Sequence, residues 1–120
     1  DGEVPVFGRA SPHPRSYGAA ARVLAHYCRD LKALDLPTAV RKLTAFPADR
    51  AGLPDRGRLL PGCFADLVVF DLATLADRAT FEEPKRYPSG IERVFVNGVA
   101  AIEGGKPTGA RSGRALRRTV

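Results

Sequence analysis

Apolar and polar positions divide the chain into two halves with different periods. From Gly18 onward, Val23, Leu24, Tyr27, Cys28, Leu31 and Leu34 recur at helical spacing, with Arg22, His26, Arg29 and Lys32 on other faces. This pattern predicts an amphipathic helix over about 18–34. A second helix is expected at about 36–46, with Asp35 as N-cap and Leu36, Ala39, Val40 and Leu43 on one stripe. Pro47 opens a further short turn that Gly52 closes. Beyond Gly52 the apolar runs shorten. Pro61-Gly62 fits a type II turn. Leu67-Val68-Val69-Phe70 lies between Asp66 and Asp71 and reads as a strand covered on both faces. Asn97-Gly98 is the favoured pair for a two-residue type I′ hairpin and places Val96 opposite Val99. Residues 1–17 read as a loop, because Pro5, Pro12 and Pro14 disfavour helix. Three strands alone make a thin sheet with open edges, so further strands are expected from elsewhere in the polypeptide.

Composition changes this picture little. A chain of 120 residues, 44% hydrophobic and 27% charged, suits one small globular domain or a piece of a larger one. No apolar run approaches a membrane span and no signal peptide is visible, so neither a membrane nor a secretory route is expected. Cys28 and Cys63 form no CxxC pattern, and a reducing cytoplasm is the default expectation. The net charge of +6 is misleading. Five basic residues, Lys106, Arg111, Arg114, Arg117 and Arg118, follow the last acid, Glu103, and leave only +1 for everything before them. Without aromatics beside it, this tail reads as a solvated basic terminus and not as a nucleic-acid surface.

Three stretches are distinctive enough to compare with known families. "HPRSYG" stands near the start, "DRATFEEPKRYPSGIERVFVNG" in the middle and "PTGARSGRALRR" at the end. With "AVRKLTAFPADRAGLPDRGRLLPGCFADLVVFD", they make the chain resemble the amidohydrolase superfamily and, within it, the D-aminoacylases (N-acyl-D-amino-acid deacylases). The resemblance covers essentially the whole chain. It implies an α+β piece of a larger enzyme: residues 1–52 as the last loop and helices of a metal-dependent (β/α)8 TIM barrel, and residues 53–120 as antiparallel strands of a small composite β-sandwich with a basic tail. Because the chain has no Met and opens on Asp1-Gly2, it is expected to continue upstream, where the zinc ligands would lie. Alone, it is expected to be inactive.

The same resemblance implies roles for individual residues. Asp1 matches the catalytic aspartate that follows the last barrel strand, and is also a possible metal ligand. Zinc lowers the pKa of bound water toward about 7, and a carboxylate beside that water can take its proton and pass it to the leaving amine. Arg15 matches a clamp for the product's α-carboxylate, since a guanidinium meets a carboxylate with two parallel charge-assisted hydrogen bonds. His13 orients Asp1, lines the pocket or stands in solvent as a loop histidine. Tyr17 closes the pocket or anchors the loop to the helix. His26 is expected at the surface, Cys28 in the core and Cys63 packed. The expected substrate is a small N-acyl-D-amino acid, and the expected partner is the remainder of the same polypeptide. Two alternatives stand beside this reading: a dihydroorotase- or hydantoinase-like cyclic amidase, or a non-enzymatic basic β-domain binding a partner or RNA.

Overall fold

The structure is a computed structural model and describes residues 11–117. Helix α1 spans Arg15–Arg22 and continues without a break into a π-helical segment, Val23–Asp30. The expected helix is therefore present, but it starts three residues earlier and ends four earlier. Pro14 does not hold residues 15–17 in a loop: it occupies the N-cap of α1, with φ −51° already helical. Proline lacks only an N–H that the first turn leaves unpaired in any case, so it suits a helix start.

The π-helical turns also correct the predicted stripe. The Leu31 N–H bonds to His26 O, five residues back, at 2.9 Å. Such wide turns carry less rotation per residue than an α-helix, so a line drawn at 3.6-residue spacing drifts off the core. Ala21, Ala25 and Cys28 are buried, whereas Tyr27 and Leu31 are exposed. His26, expected at the surface, is half-buried with its ring 5.1 Å from that of Tyr27.

Helix α2, Leu36–Leu43, begins where the sequence predicts and ends three residues sooner. The Asp35 carboxylate accepts the Thr38 N–H at 2.8 Å and the Thr38 hydroxyl at 3.0 Å, satisfying an orphan donor of the first turn. Helix α3, Ala45–Ala51, stops at Gly52, whose φ of +71° lets the Leu53 N–H reach back to Ala48 O at 2.9 Å.

The sheet is an antiparallel meander, β1 (Leu67–Phe70), β2 (Ile91–Val96), β3 (Val99–Glu103) and β4 (Lys106–Pro107), in spatial order β1-β2-β3-β4. Asn97 and Gly98 both take positive φ, and Val96 pairs with Val99, as the Asn-Gly signal requires. β4 is an addition to the three expected strands, turned back by Gly104-Gly105. Leu60, Pro61, Gly62 and Cys63 form the expected turn, closed by Cys63 N–H to Leu60 O at 3.1 Å. β1 departs from expectation: Val68 and Val69 are exposed, so the strand is not covered on both faces within the described residues.

Helix and sheet meet in a small core in which Ala21, Ala25 and Leu75 are buried and Leu24, Phe70, Leu72 and Ile91 pack around them. Arg29 fixes this junction. Its Nη1 donates to Leu72 O at 2.8 Å and Leu75 O at 2.7 Å, while its Nε donates to Asp30 at 2.7 Å. A residue placed on a polar face by pattern alone thus satisfies the carbonyls of the turn after β1.

A second lock holds the hairpin. Arg56 is the one buried charged residue among those described. It is bonded to the Asp66 carboxylate and donates to Asn97 Oδ1 at 2.8 Å. The Asn97 N–H donates to Asp66 Oδ1 at 2.8 Å, and Asn97 Nδ2 donates to Ser112 O at 2.7 Å. Arg56 and Arg114 both stack on the Phe64 ring, at 4.3 and 4.6 Å from its centroid. The tail is therefore tied to the turn it passes. Burial pushes the Asp66 carboxyl up, but the Asn97 N–H and the Arg56 guanidinium outweigh burial and hold it below the usual carboxylate range. Because the folded form releases this proton more readily than the unfolded chain, the lock's stabilisation is complete above the unfolded value, roughly pH 4, and is lost as pH falls through the folded one. Asp66→Asn is accordingly expected to destabilise the protein near pH 7 and to differ progressively less from wild type as pH falls from about 4 toward 2, as measured by urea midpoints across that range. A gap between the two proteins that does not narrow in acid contradicts this account.

Candidate functional site

The start of α1 forms one wall of a cavity of about 500 Å³, within the usual range of small-molecule sites. His13, Arg15, Ala19, Arg22 and Tyr27 contribute from the helix side, and Asp77 and residues 79–82 from the connection between β1 and β2. Local geometry places His13 and Arg15 together. The Ser16 N–H bonds to His13 O at 3.0 Å, and both the Tyr17 and Gly18 N–H groups bond to Pro14 O at 3.1 Å, which closes the first turn. Within it the Arg15 N–H donates to His13 Nδ1 at 3.1 Å. The imidazole thus caps the residue that carries the guanidinium. Both side chains are exposed at the cavity.

The opposite wall is seated by a glycine. A Cβ on Gly18 would lie 1.9 Å from Asp77 Oδ1, so the carboxylate occupies space that any other residue would fill. Asp77 accepts the Ala79 N–H at 2.9 Å and lies 4.0 Å from Arg22 Nη1, with 13% of its side chain exposed. The Phe81 ring meets His13 edge-on, with centroids 5.1 Å apart, and the Tyr17 ring meets Tyr87 at 5.6 Å. Tyr17 thus anchors the helix to the second half of the chain.

Of the sequence-predicted site residues, the structure brings His13 and Arg15 to one cavity, while Asp1 lies outside the described residues. Sequence reasoning missed Asp77, Phe81 and Arg22. The available signal was the length and family-specific look of "DRATFEEP", which in isolation read only as a connection. Among the described residues no group of three or more His, Cys, Asp or Glu could hold a metal ion. No helix among them is long and apolar enough to cross a membrane.

The helical start of the cavity and the small meander behind it have counterparts in proteins of known fold. A family model described as "Amidohydrolase family" matches residues 5–102, and the chain belongs to that family. The chain is 53% identical over 109 residues to a D-aminoacylase of Alcaligenes xylosoxydans xylosoxydans, which covers 91% of this chain and 22% of the relative. A crystal structure of D-aminoacylase superimposes with a TM-score of 0.87 at 52% identity, covering 90% of this chain and 23% of that one. The N-acyl-D-glutamate deacylase of Bordetella bronchiseptica, solved with zinc and a phosphonate mimic of the tetrahedral intermediate, matches with a TM-score of 0.75 at 45% identity, covering 82% of this chain and 22% of that one. The chain thus spans about a fifth of the length of the relatives it matches.

Proposed function

We propose that the chain works as part of a longer zinc-dependent amidohydrolase that splits N-acyl-D-amino acids into a carboxylate and a D-amino acid. In this reading residues 1–52 close a (β/α)8 barrel and residues 53–120 belong to a composite β-sandwich. The observation that carries it is the 53% identity to a D-aminoacylase, with a family match, residues 5–102, that includes Arg15 and its cavity. The exposed valines of β1, an edge strand among the described residues, support packing against more of the same polypeptide.

Zinc, when bound, would make a water acidic enough to lose its proton near neutral pH and so become able to attack an amide. The described residues do not build its site, so its ligands lie elsewhere in this reading, with Asp1 a candidate among them. The other steps belong to this chain. Arg15 donates two parallel hydrogen bonds to the substrate's α-carboxylate, and His13 fixes the backbone from which it reaches. Asp1 takes a proton from the attacking water and delivers it to the amide nitrogen, which would otherwise have to leave as an amide anion.

The test is an assay of the parent enzyme on N-acyl-D-amino acids, their L-enantiomers and the matching D-carboxamides. Hydrolysis of the D-acids is expected. Losing a charge-assisted pair in Arg15→Ala is expected to raise KM for the acids about 10- to 100-fold, with a much smaller effect on the carboxamides. Arg15→Lys recovers only part, because a point charge replaces a planar fork. Activity confined to L-substrates rules the reading out, and an Arg15→Ala enzyme with unchanged KM rules out the clamp.

A further inference from the structure

We infer that Phe81, from the connection between β1 and β2, is a positioning residue for Arg15, acting through His13; this rests on the carboxylate-clamp reading of Arg15. Three contacts run in series. Phe81 meets His13 edge-to-face at 5.1 Å, with an interplanar angle of 79°. His13 Nδ1 accepts the Arg15 N–H at 3.1 Å. Asp77, at the root of the Phe81 segment, sits where a side chain on Gly18 would be, which fixes the distance between the segment and the first turn of α1. His13 and Phe81 are sixty-eight positions apart in the chain, so this contact arises only when the two halves pack.

The exposure of Phe81 is the informative part. Phe81 is 75% exposed and lines the Arg15 cavity. A phenylalanine so placed adds little to a core, yet its edge fixes the plane of the His13 ring. The ring plane sets where Nδ1 points, and Nδ1 holds the Arg15 backbone N–H, next to the Cα that carries the side chain. A guanidinium that must form two parallel bonds tolerates little error in its base, and small misplacements at such sites cost binding. Phe81 therefore belongs to substrate binding through the position it gives Arg15.

The inference is tested in the parent enzyme with Phe81→Leu, Phe81→Ala and Phe81→Tyr, each assayed on an N-acyl-D-amino acid and its carboxamide. Phe81→Leu and Phe81→Ala are expected to raise KM for the acid about 3- to 10-fold, the range an edge-to-face pair supports. Carboxamide kinetics should stay within about twofold, and Phe81→Tyr, which keeps the ring edge, should restore the wild-type KM. Histidine ring NMR signals supply a readout independent of activity: the His13 resonance should move in Phe81→Leu and stay in Phe81→Tyr. Equal KM changes for acid and carboxamide, or none, overturn the inference. Arg15→Ala separates the two failures. If it raises KM for the acid while the Phe81 variants do not, only the positioning role falls; if it leaves KM unchanged, the clamp itself falls.

Discussion

Asp1→Asn is expected to lower kcat of the parent enzyme about 10²- to 10⁴-fold, the span that a positioned proton carrier contributes. Asparagine keeps the shape and one oxygen of the side chain but cannot accept a proton at working pH. The amide nitrogen must then leave without protonation from this group, and water substitutes poorly. KM should change far less than kcat, because in the proposed function Arg15, and not Asp1, holds the carboxylate of the substrate. Metal content measured on the same preparation divides the two roles the family resemblance gives this residue. Retained zinc with lost kcat marks a proton carrier, and zinc lost together with kcat marks a ligand. A variant with wild-type kcat removes Asp1 from the mechanism altogether.

Gly90→Ala carries the largest expected loss of stability. Gly90 has φ +81°, and a Cβ there would lie 2.5 Å from both the Cα and the N of Leu75. The left-handed conformation alone costs an L-residue about 1–2 kcal/mol. Contact with backbone, which cannot rotate away as a side chain can, adds about 1–3 kcal/mol. Leu75 is the most fully buried large side chain described, and its segment also receives the Arg29 hydrogen bonds. Displacing it therefore loosens the junction between helix and sheet. Asparagine tests the cause. It tolerates positive φ well, so Gly90→Asn would be mild if conformation were the whole problem. Since the obstacle is the Cβ itself, Gly90→Asn is expected to be nearly as harmful as Gly90→Ala. Gly104 supplies the control, with φ +56° and nothing within 4 Å of a built Cβ. Gly104→Asn should cost well under about 1 kcal/mol. Chemical denaturation midpoints of the three variants check the comparison, and equal losses at positions 90 and 104 contradict it.

The features legible in the chain were those whose cause is local. Asp35 caps α2 because its carboxylate and the Thr38 N–H are three residues apart. Asn97-Gly98 turns the hairpin because both residues accept positive φ, and Gly52 ends α3 for the same reason. The family resemblance likewise rests on short stretches read in order, among them the one that holds His13 and Arg15. Helix periodicity failed where the local rule itself changed. The π-helical turns of Val23–Asp30 rotate the chain by a different step, and Tyr27 and Leu31 fall outside the stripe predicted for them. Cover on both faces of β1 is not supplied by the described residues, because an apolar run shows what a strand could bury, not what lies against it.

The sequence by itself determined where α2 begins, where the Pro61-Gly62 and Asn97-Gly98 turns lie and which superfamily the chain resembles. Each of these depends on residues a few positions apart, where covalent geometry limits the choices. Only the tertiary structure decided that Arg56 is buried between Asp66 and Asn97, that Arg29 holds the carbonyls of residues 72–75, and that Phe81 lies against His13 across the Arg15 cavity. Those contacts join residues ten to sixty-eight positions apart. No periodicity encodes such pairings; they form because buried polar groups must find partners and a small core leaves few ways for the two halves to close.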